Sequence, residues 1–214
     1  MREESPKCLR SDAQQNRCRI LDAAAEAFAE QGIGVSLIEI ARRAGVGNAT
    51  LHRNFTKEQL VDELFAEWFG RRRETAERAL TDADPWHGFA TFCEQMLADD
   101  GRNRSMGALF AIRPQWRECF TALMAKLLAR VQQSGDARCD LTTEDLVLGL
   151  ISIAATMSIT ADVAPQQWRR QLAIMLHGMR ATNADRLPGF AVTADQLQSE
   201  LCQWSAQLMR AQQA

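Results

Sequence analysis

No stretch of the chain holds the ~18 to 20 consecutive apolar residues that a membrane-spanning helix needs. The N-terminal MREESPKCLRSD has no apolar core of the kind a secretory signal requires, so the expectation is a cytoplasmic protein with no membrane partner. Neither sign of charge dominates. Lys and Arg number 25 against 27 Asp and Glu, a net charge of −2, so bulk electrostatics does not by itself mark a nucleic-acid binder. The six cysteines, Cys8, Cys18, Cys93, Cys119, Cys139 and Cys202, form no C-x-x-C pair, and none stands at zinc-finger spacing from a histidine. Dispersed thiols of this kind fit a reducing compartment, as small buried hydrophobes or as redox sensors. No H-E-x-x-H, P-loop, G-x-G-x-x-G or G-x-S-x-G motif occurs. Asp99-Asp100 reads as a solvated helix end rather than a pair of catalytic carboxylates. The expectation is therefore a protein that is not an enzyme and has no metal or cofactor. Tyrosine is absent while tryptophan numbers five; nothing in the sequence explains that bias.

What is present is helix. The 214 residues are 46% hydrophobic and 24% charged, values of a folded chain, and no period-2 run argues for a strand. Residues 1–14 read as a flexible polar tail. A first helix is expected from about Gln15 to Gln31, with Ile20, Ala24, Ala27 and Phe28 on one face and Gly32 as its stop. Ser36 and Glu39 have the spacing of a capping box, opening a short helix whose Leu37, Ile40, Ala41 and Ala44 recur at helical spacing. After Gly45-Val46-Gly47, a brief helix covers Asn48 to about Phe55. Thr56 and Gln59 repeat the capping spacing before a long helix over about Lys57–Leu80. Further helices are expected over Pro85–Asp99, Asn103–Ala111, Pro114–Ser134, Thr142–Thr160, Pro165–Ala181 and Thr193–Ala211, separated by Pro and Gly punctuation.

The segment SLIEIARRAGVGNATLHRNF carries the function. Two short helices joined by a Gly-containing turn form the helix-turn-helix pattern. Ala41 is small where the second helix crosses the first, and Gly45 tolerates positive φ in the turn. Val46 plugs the corner, while Leu51 and Phe55 anchor the second helix. Placing residues at 100° intervals with Leu51 at zero sets the buried centre near 20°. Ala49, Thr50, His52 and Arg53 then surround the exposed pole. An arginine can pair with a guanine edge, and small Ala and Thr residues let a helix approach thymine methyls or phosphates. Amides at the start of this helix suit a phosphate, and Lys57 stands where it can reach the flanking backbone. The charge distribution leans the same way: residues 1–57 hold nine Lys and Arg against seven Asp and Glu, whereas the remainder holds 16 against 20. The same spacing also fits an ordinary helical hairpin with no nucleic-acid partner.

From Ile20 to about Phe65 the chain resembles the DNA-binding domain of TetR/AcrR-family transcriptional regulators. RILDAAAEAFAEQG, IEIARRAGV, ATLHRNF and KEQLVDELF carry the likeness in order, length and position. The resemblance implies an all-α fold: a three-helix helix-turn-helix domain (15–62), then a helical ligand-binding and dimerisation domain (63–214). It implies a transcriptional regulator of the repressor type that binds a palindromic double-stranded DNA operator as a homodimer and releases it on binding a small apolar inducer. The alternative is a helix-turn-helix protein without an inducer, controlled by a protein partner or acting architecturally. The family pattern places Ser36, Asn48, Ala49, Thr50, His52, Asn54 and Lys57 at DNA; the angular argument adds Arg53. His52 stands where the family usually has tyrosine, Asn48 where it often has lysine and Ala49 where it often has glycine. The loop between Phe55 and Lys57 is one residue shorter than usual.

For the inducer, the resemblance directs attention to the aromatic and methionine residues of three successive expected helices. These are Trp86, Phe89, Phe92, Met96, Met106, Phe110, Trp116, Phe120 and Met124, which suit an adaptable apolar pocket and equally an ordinary core. For the dimer, LVLGLISIAATMSI (146–159) is apolar on all sides and carries small residues that permit close helix approach, and Gln167–Met179 is amphipathic. Leu146, Gly149, Ile153, Met157, Trp168, Leu172 and Met175 are the expected interface of a four-helix contact. A buried central helix within one subunit fits residues 146–159 as well. Dimerisation is a physical requirement of the DNA reading, because one short helix makes few contacts. A two-fold pair reads half-sites roughly 34–36 Å apart.

Overall fold

The computed structural model describes residues 6–32, 34–100, 114–182 and 185–211. Among them are α1 (Pro6–Gln31), α2 (Leu37–Ala44), α3 (Asn48–Asn54), α4 (Lys57–Thr81), α5 (Pro85–Asp100), α6 (Pro114–Gln133), α7 (Thr143–Ile159), α8 (Gln167–Met179) and α9 (Ala194–Ala211). The expected helix over Asn103–Ala111 lies outside the described residues. Pairing of β type among the described residues is confined to one isolated bridge, Ala137 with Arg180. The protein is all-α.

Helix starts follow the capping chemistry. Thr142 and Asp145 close a reciprocal box: the Asp145 amide donates to Thr142 Oγ1 at 3.2 Å and the Thr142 amide donates to Asp145 Oδ2 at 3.0 Å. Thr56 with Gln59 and Thr193 with Gln196 repeat the arrangement. At Ser36 only half of the expected box forms. The Glu39 amide donates to Ser36 Oγ at 3.2 Å, but the Glu39 carboxylate turns to Arg42 and Arg43 instead of back to the Ser36 amide. For one ionised carboxylate, bonds from two cationic guanidiniums outweigh a bond from a neutral backbone amide. The first helix begins at Pro6, well before the expected Gln15. Proline is well suited to a helix's first position, where its fixed φ is helical and its missing N–H goes unused.

The chain divides into two compact units, ending and beginning at Phe69 and Gly70 within α4. In the first unit α1 packs on α2 and α2 on α3. Ile20, Ala24, Ala27 and Phe28 of α1 meet a core of Ile40, Ala41, Leu51, Phe55, Leu60 and Phe65, all essentially inaccessible. Burying a side chain such as Leu51 or Phe55 contributes about 1.5–3 kcal/mol.

In the second unit α5 packs against α6, α7 and α8, and α7 lies between α6 and α8. Phe89, Phe92, Leu97, Met124, Val131, Leu150 and Trp168 form its core. The turn from α4 to α5 is pinned by Arg130 of α6, which donates to the carbonyls of Ala79 and Asp82. His87 Nδ1 lies 2.9 Å from Asp82 Oδ2 beside it. Gly88 is required here, since an added Cβ would stand 2.5 Å from the Ala79 carbonyl oxygen. Arg138 grips Asp140 through two bonds of 2.6 and 2.9 Å, and Asp140 also accepts from the Leu187 amide at 3.0 Å. These contacts tie the chain beyond α8 to the α6–α7 loop.

Candidate functional site

The corner between α2 and α3 is built on Gly45. Its φ of 65° and ψ of 34° are left-handed. Its amide donates to the Arg42 carbonyl at 3.3 Å, and the Val46 amide to the Ala41 carbonyl at 3.0 Å. This is a Schellman motif, in which two orphan carbonyls at the end of α2 are satisfied by the turn itself. No atom lies within 4 Å of where a Gly45 Cβ would stand, so conformation rather than space selects glycine.

The turn fixes the face that α3 presents. Leu51 and the following Phe55 are buried at 0% and 1% exposure. Asn48, Ala49, His52 and Arg53 are exposed on the opposite side, and Thr50 and Asn54 are half-buried at the flank. The guanidinium of Arg53 lies along the helix, with Nε donating to the Ala49 carbonyl at 3.2 Å and Nη2 to Thr50 Oγ1 at 3.3 Å. The Asn54 amide folds back to the Thr50 carbonyl at 2.7 Å. Ser36 is exposed as the N-cap of α2, and Lys57 is half-buried at the first position of α4. The eight residues expected at DNA thus lie on α3 and on the starts of α2 and α4.

Beside this face, Glu39 is bonded by Arg42 at 2.7 and 2.8 Å and by Arg43 at 2.8 Å. Hydrogen bonds from Arg42 and then Arg43 hold its carboxyl down at about 2. Arg43 also reaches Glu30 of α1 at 2.7 Å. Arg17, which the sequence did not single out, stacks its guanidinium 4.2 Å from the centre of the Phe55 ring and pairs with Glu63. It braces the C-terminal end of α3 from α1. Its partners lie far along the chain, so no local pattern announces it.

In the second unit Trp86, Phe89, Phe92, Met96, Phe120 and Met124 are buried. Met106 and Phe110 lie outside the described residues, and of Trp116 only the backbone, in α6, is described. Two cavities on this unit have other linings. One, of about 230 Å³, lies among α6, α7 and α9. The other lies around Arg138, Cys139 and Arg186.

Four of the seven residues expected at a dimer contact are buried within their own subunit: Leu146, Ile153, Trp168 and Leu172. Gly149 does permit a close helix approach, but to α8 of the same chain, because an added Cβ would stand 2.5 Å from Met175 Sδ. Met157 and Met175 are half-buried. The large apolar side chains that α7 and α8 leave exposed are Leu148, Ile159 and Ile174, at 37%, 81% and 58%. An apolar helix shows no single preferred face in its sequence, so composition could not separate its inward side from its outward one.

A short helix held by a glycine corner, with a polar face turned outward and an all-helical body after it, defines a helix-turn-helix DNA-binding regulator. Comparison with known proteins takes this further. The sequence model of the family described as bacterial regulatory proteins, tetR family, matches residues 20–64, and that of the SbtR-like transcriptional regulator C-terminal domain matches residues 84–181. The structure of the TetR transcription regulatory protein from Mycobacterium vanbaalenii is 30% identical, matching 80% of this chain and 99% of its own, with a TM-score of 0.52. A TetR transcriptional regulator from Streptomyces coelicolor is 26% identical over 77% of this chain and 98% of its own, with a TM-score of 0.57. FadR from Bacillus subtilis, solved in complex with stearoyl-CoA, shares the fold at 17% identity over 76% of this chain and 99% of its own, with a TM-score of 0.60. The chain belongs to the TetR family of transcriptional regulators.

Proposed function

We propose that the protein is a repressor that holds a palindromic operator as a homodimer and releases it when a small apolar inducer binds the second unit. The observation that carries the DNA reading is the outward set Ala49, His52 and Arg53, opposite the buried Leu51 and Phe55. Arg53 reads a guanine edge through its planar fork. His52 and Lys57 hold phosphates, with Ser36 and Asn48 at the flanks. Ala49 and Thr50 allow close approach. Asn54 contributes by holding the last turn of α3 through Thr50.

The homodimer of this proposal forms through the exposed apolar side chains Leu148, Ile159 and Ile174 of α7 and α8, with Met157 and Met175 at their margin. Two copies together double the base contacts and impose palindromic symmetry on the operator. For the inducer, FadR shows that a protein of this fold can bind a long-chain acyl ligand. Inducer coupling of ~1–3 kcal/mol shifts operator affinity by ~5- to 150-fold.

A second reading, regulation without a small inducer, is favoured by one observation: Trp86, Phe89, Phe92, Met96, Phe120 and Met124 are all buried as core. Thermal denaturation of the full chain against a metabolite panel separates the two, since a ligand that binds only the folded state raises Tm. Under the first reading a compound that raises Tm also releases bound duplex. If every compound that stabilises the protein leaves duplex binding unchanged, the inducer is removed from the account.

A further inference from the structure

The cavity of about 230 Å³ in the second unit is lined by other residues than the buried aromatic and methionine cluster of α5 and α6. Its walls come from α6, α7 and the C-terminal helix α9. That helix lies beyond residue 181, where the matched C-terminal domain ends. Arg117 of α6 lines it and is buried, at 5% exposure. Glu118 of α6 is exposed and Glu144, in the first turn of α7, is half-buried, so two carboxylates stand nearer the rim. Val147 supplies an apolar wall. Leu197 and Leu201, four residues apart on one face of α9, supply further apolar lining.

One guanidinium, two carboxylates and aliphatic walls in a small volume are complementary to one kind of molecule. A guanidinium offers five donors in a planar fork, so it can take a ligand carboxylate beside any protein partner it serves. The rim carboxylates accept from an ammonium group. The aliphatic walls cover an apolar body. The volume falls below the ~300–1,000 Å³ of drug-sized sites, which restricts the occupant to a small metabolite. We infer that this cavity is a binding site for a small zwitterion with an apolar side chain, the class of the hydrophobic α-amino acids. Its carboxylate meets Arg117, its ammonium meets Glu118 and Glu144, and its side chain lies against Val147 and the two leucines of α9. A zwitterion is not the apolar inducer proposed above, so this site goes beyond that reading and rests on it only for what binding does to the operator.

The test uses the full chain without DNA. L-leucine, L-isoleucine, L-methionine and L-phenylalanine are titrated by calorimetry and by thermal denaturation, with 3-phenylpropanoate and 2-phenylethylamine as probes that each lack one charge. At least one amino acid is expected to bind and to raise Tm by about 2–4 °C at several-fold excess over its Kd. The single-charge probes are expected to bind at least about tenfold more weakly. Leu201→Arg, which fills the cavity from a partly exposed position, and Glu144→Gln should each weaken binding about tenfold or more while leaving the unliganded Tm unchanged within about 2 °C. The proposal is overturned if none of the four amino acids binds at about 10 mM, if the single-charge probes bind as tightly, or if Leu201→Arg binds as the parent does. Operator affinity measured with and without the bound amino acid is a separate arm. Binding that leaves the operator untouched supports the site and removes the inducer role. Operator release by another compound, with none of the four amino acids binding, overturns the site and keeps that role.

Discussion

Arg53 is stored against its own helix, bonded to the Ala49 carbonyl and the Thr50 hydroxyl. In reading a base it exchanges two long, exposed bonds for a bidentate pair, so little is lost on leaving. Arg53→Ala is therefore expected to reduce discrimination between a preferred duplex and one mismatched at a single base pair by about 1–3 kcal/mol, measured by competition fluorescence anisotropy. Equal discrimination in variant and parent would take Arg53 out of the readout. The pair His87 and Asp82 sets a pH response. The hydrogen bond that His87 Nδ1 donates to the Asp82 carboxylate raises the His87 pKa above its ordinary value, and the same bond lowers that of Asp82. The His87 contribution is complete below the ordinary imidazole value and is lost as pH rises through the raised one. The Asp82 contribution is complete above the ordinary carboxylate value and is lost as pH falls toward the lowered one. The pair thus supports the α4–α5 turn most in mildly acidic solution. Between about pH 6 and about pH 8 the parent should lose more Tm than His87→Gln, most clearly at low salt. Parallel profiles would mean that the pair does not stabilise the turn.

At the scale of elements, the helix-turn-helix was legible because its determinants are local. A small residue, a glycine corner and two anchors spaced four apart fall within one short segment, and each stands where its spacing indicates. Gly45→Ala isolates the corner. With open space around the position, only the left-handed backbone is penalised, by about 1–2 kcal/mol. A chain of this length should lose roughly 2–4 °C of Tm per kcal/mol, and duplex affinity should fall as α3 is misplaced. An unchanged Tm would show that the corner tolerates a side chain. The start of α1 was not legible, because residues 6–14 carry no apolar stripe and their helix is an extension of the turns that do. The inward side of α7 was not legible either. Its segment is apolar all round, and only packing shows that Leu146 and Ile153 are buried while Leu148 and Ile159 are exposed. Nor did sequence spacing reveal Arg17, whose ring and carboxylate partners are brought to it by the fold.

For the whole molecule, the account requires a symmetric pair. Ile174 is 58% exposed on α8, and a charge placed there opposes burial against a second copy. Ile174→Arg should sediment as a monomer with unchanged helical content by circular dichroism. Its affinity for a palindrome should then fall to the level of a single half-site. A persistent dimer would move the contact elsewhere on the surface. Whether α3 reads DNA as one of two related copies is decided by selecting duplexes from a random pool with the purified full chain and sequencing those retained. The account predicts an inverted repeat whose half-site centres lie about one helical turn, or a multiple of one turn, apart. Retention of sequences with no repeat, or no retention by folded protein at low ionic strength, would contradict it.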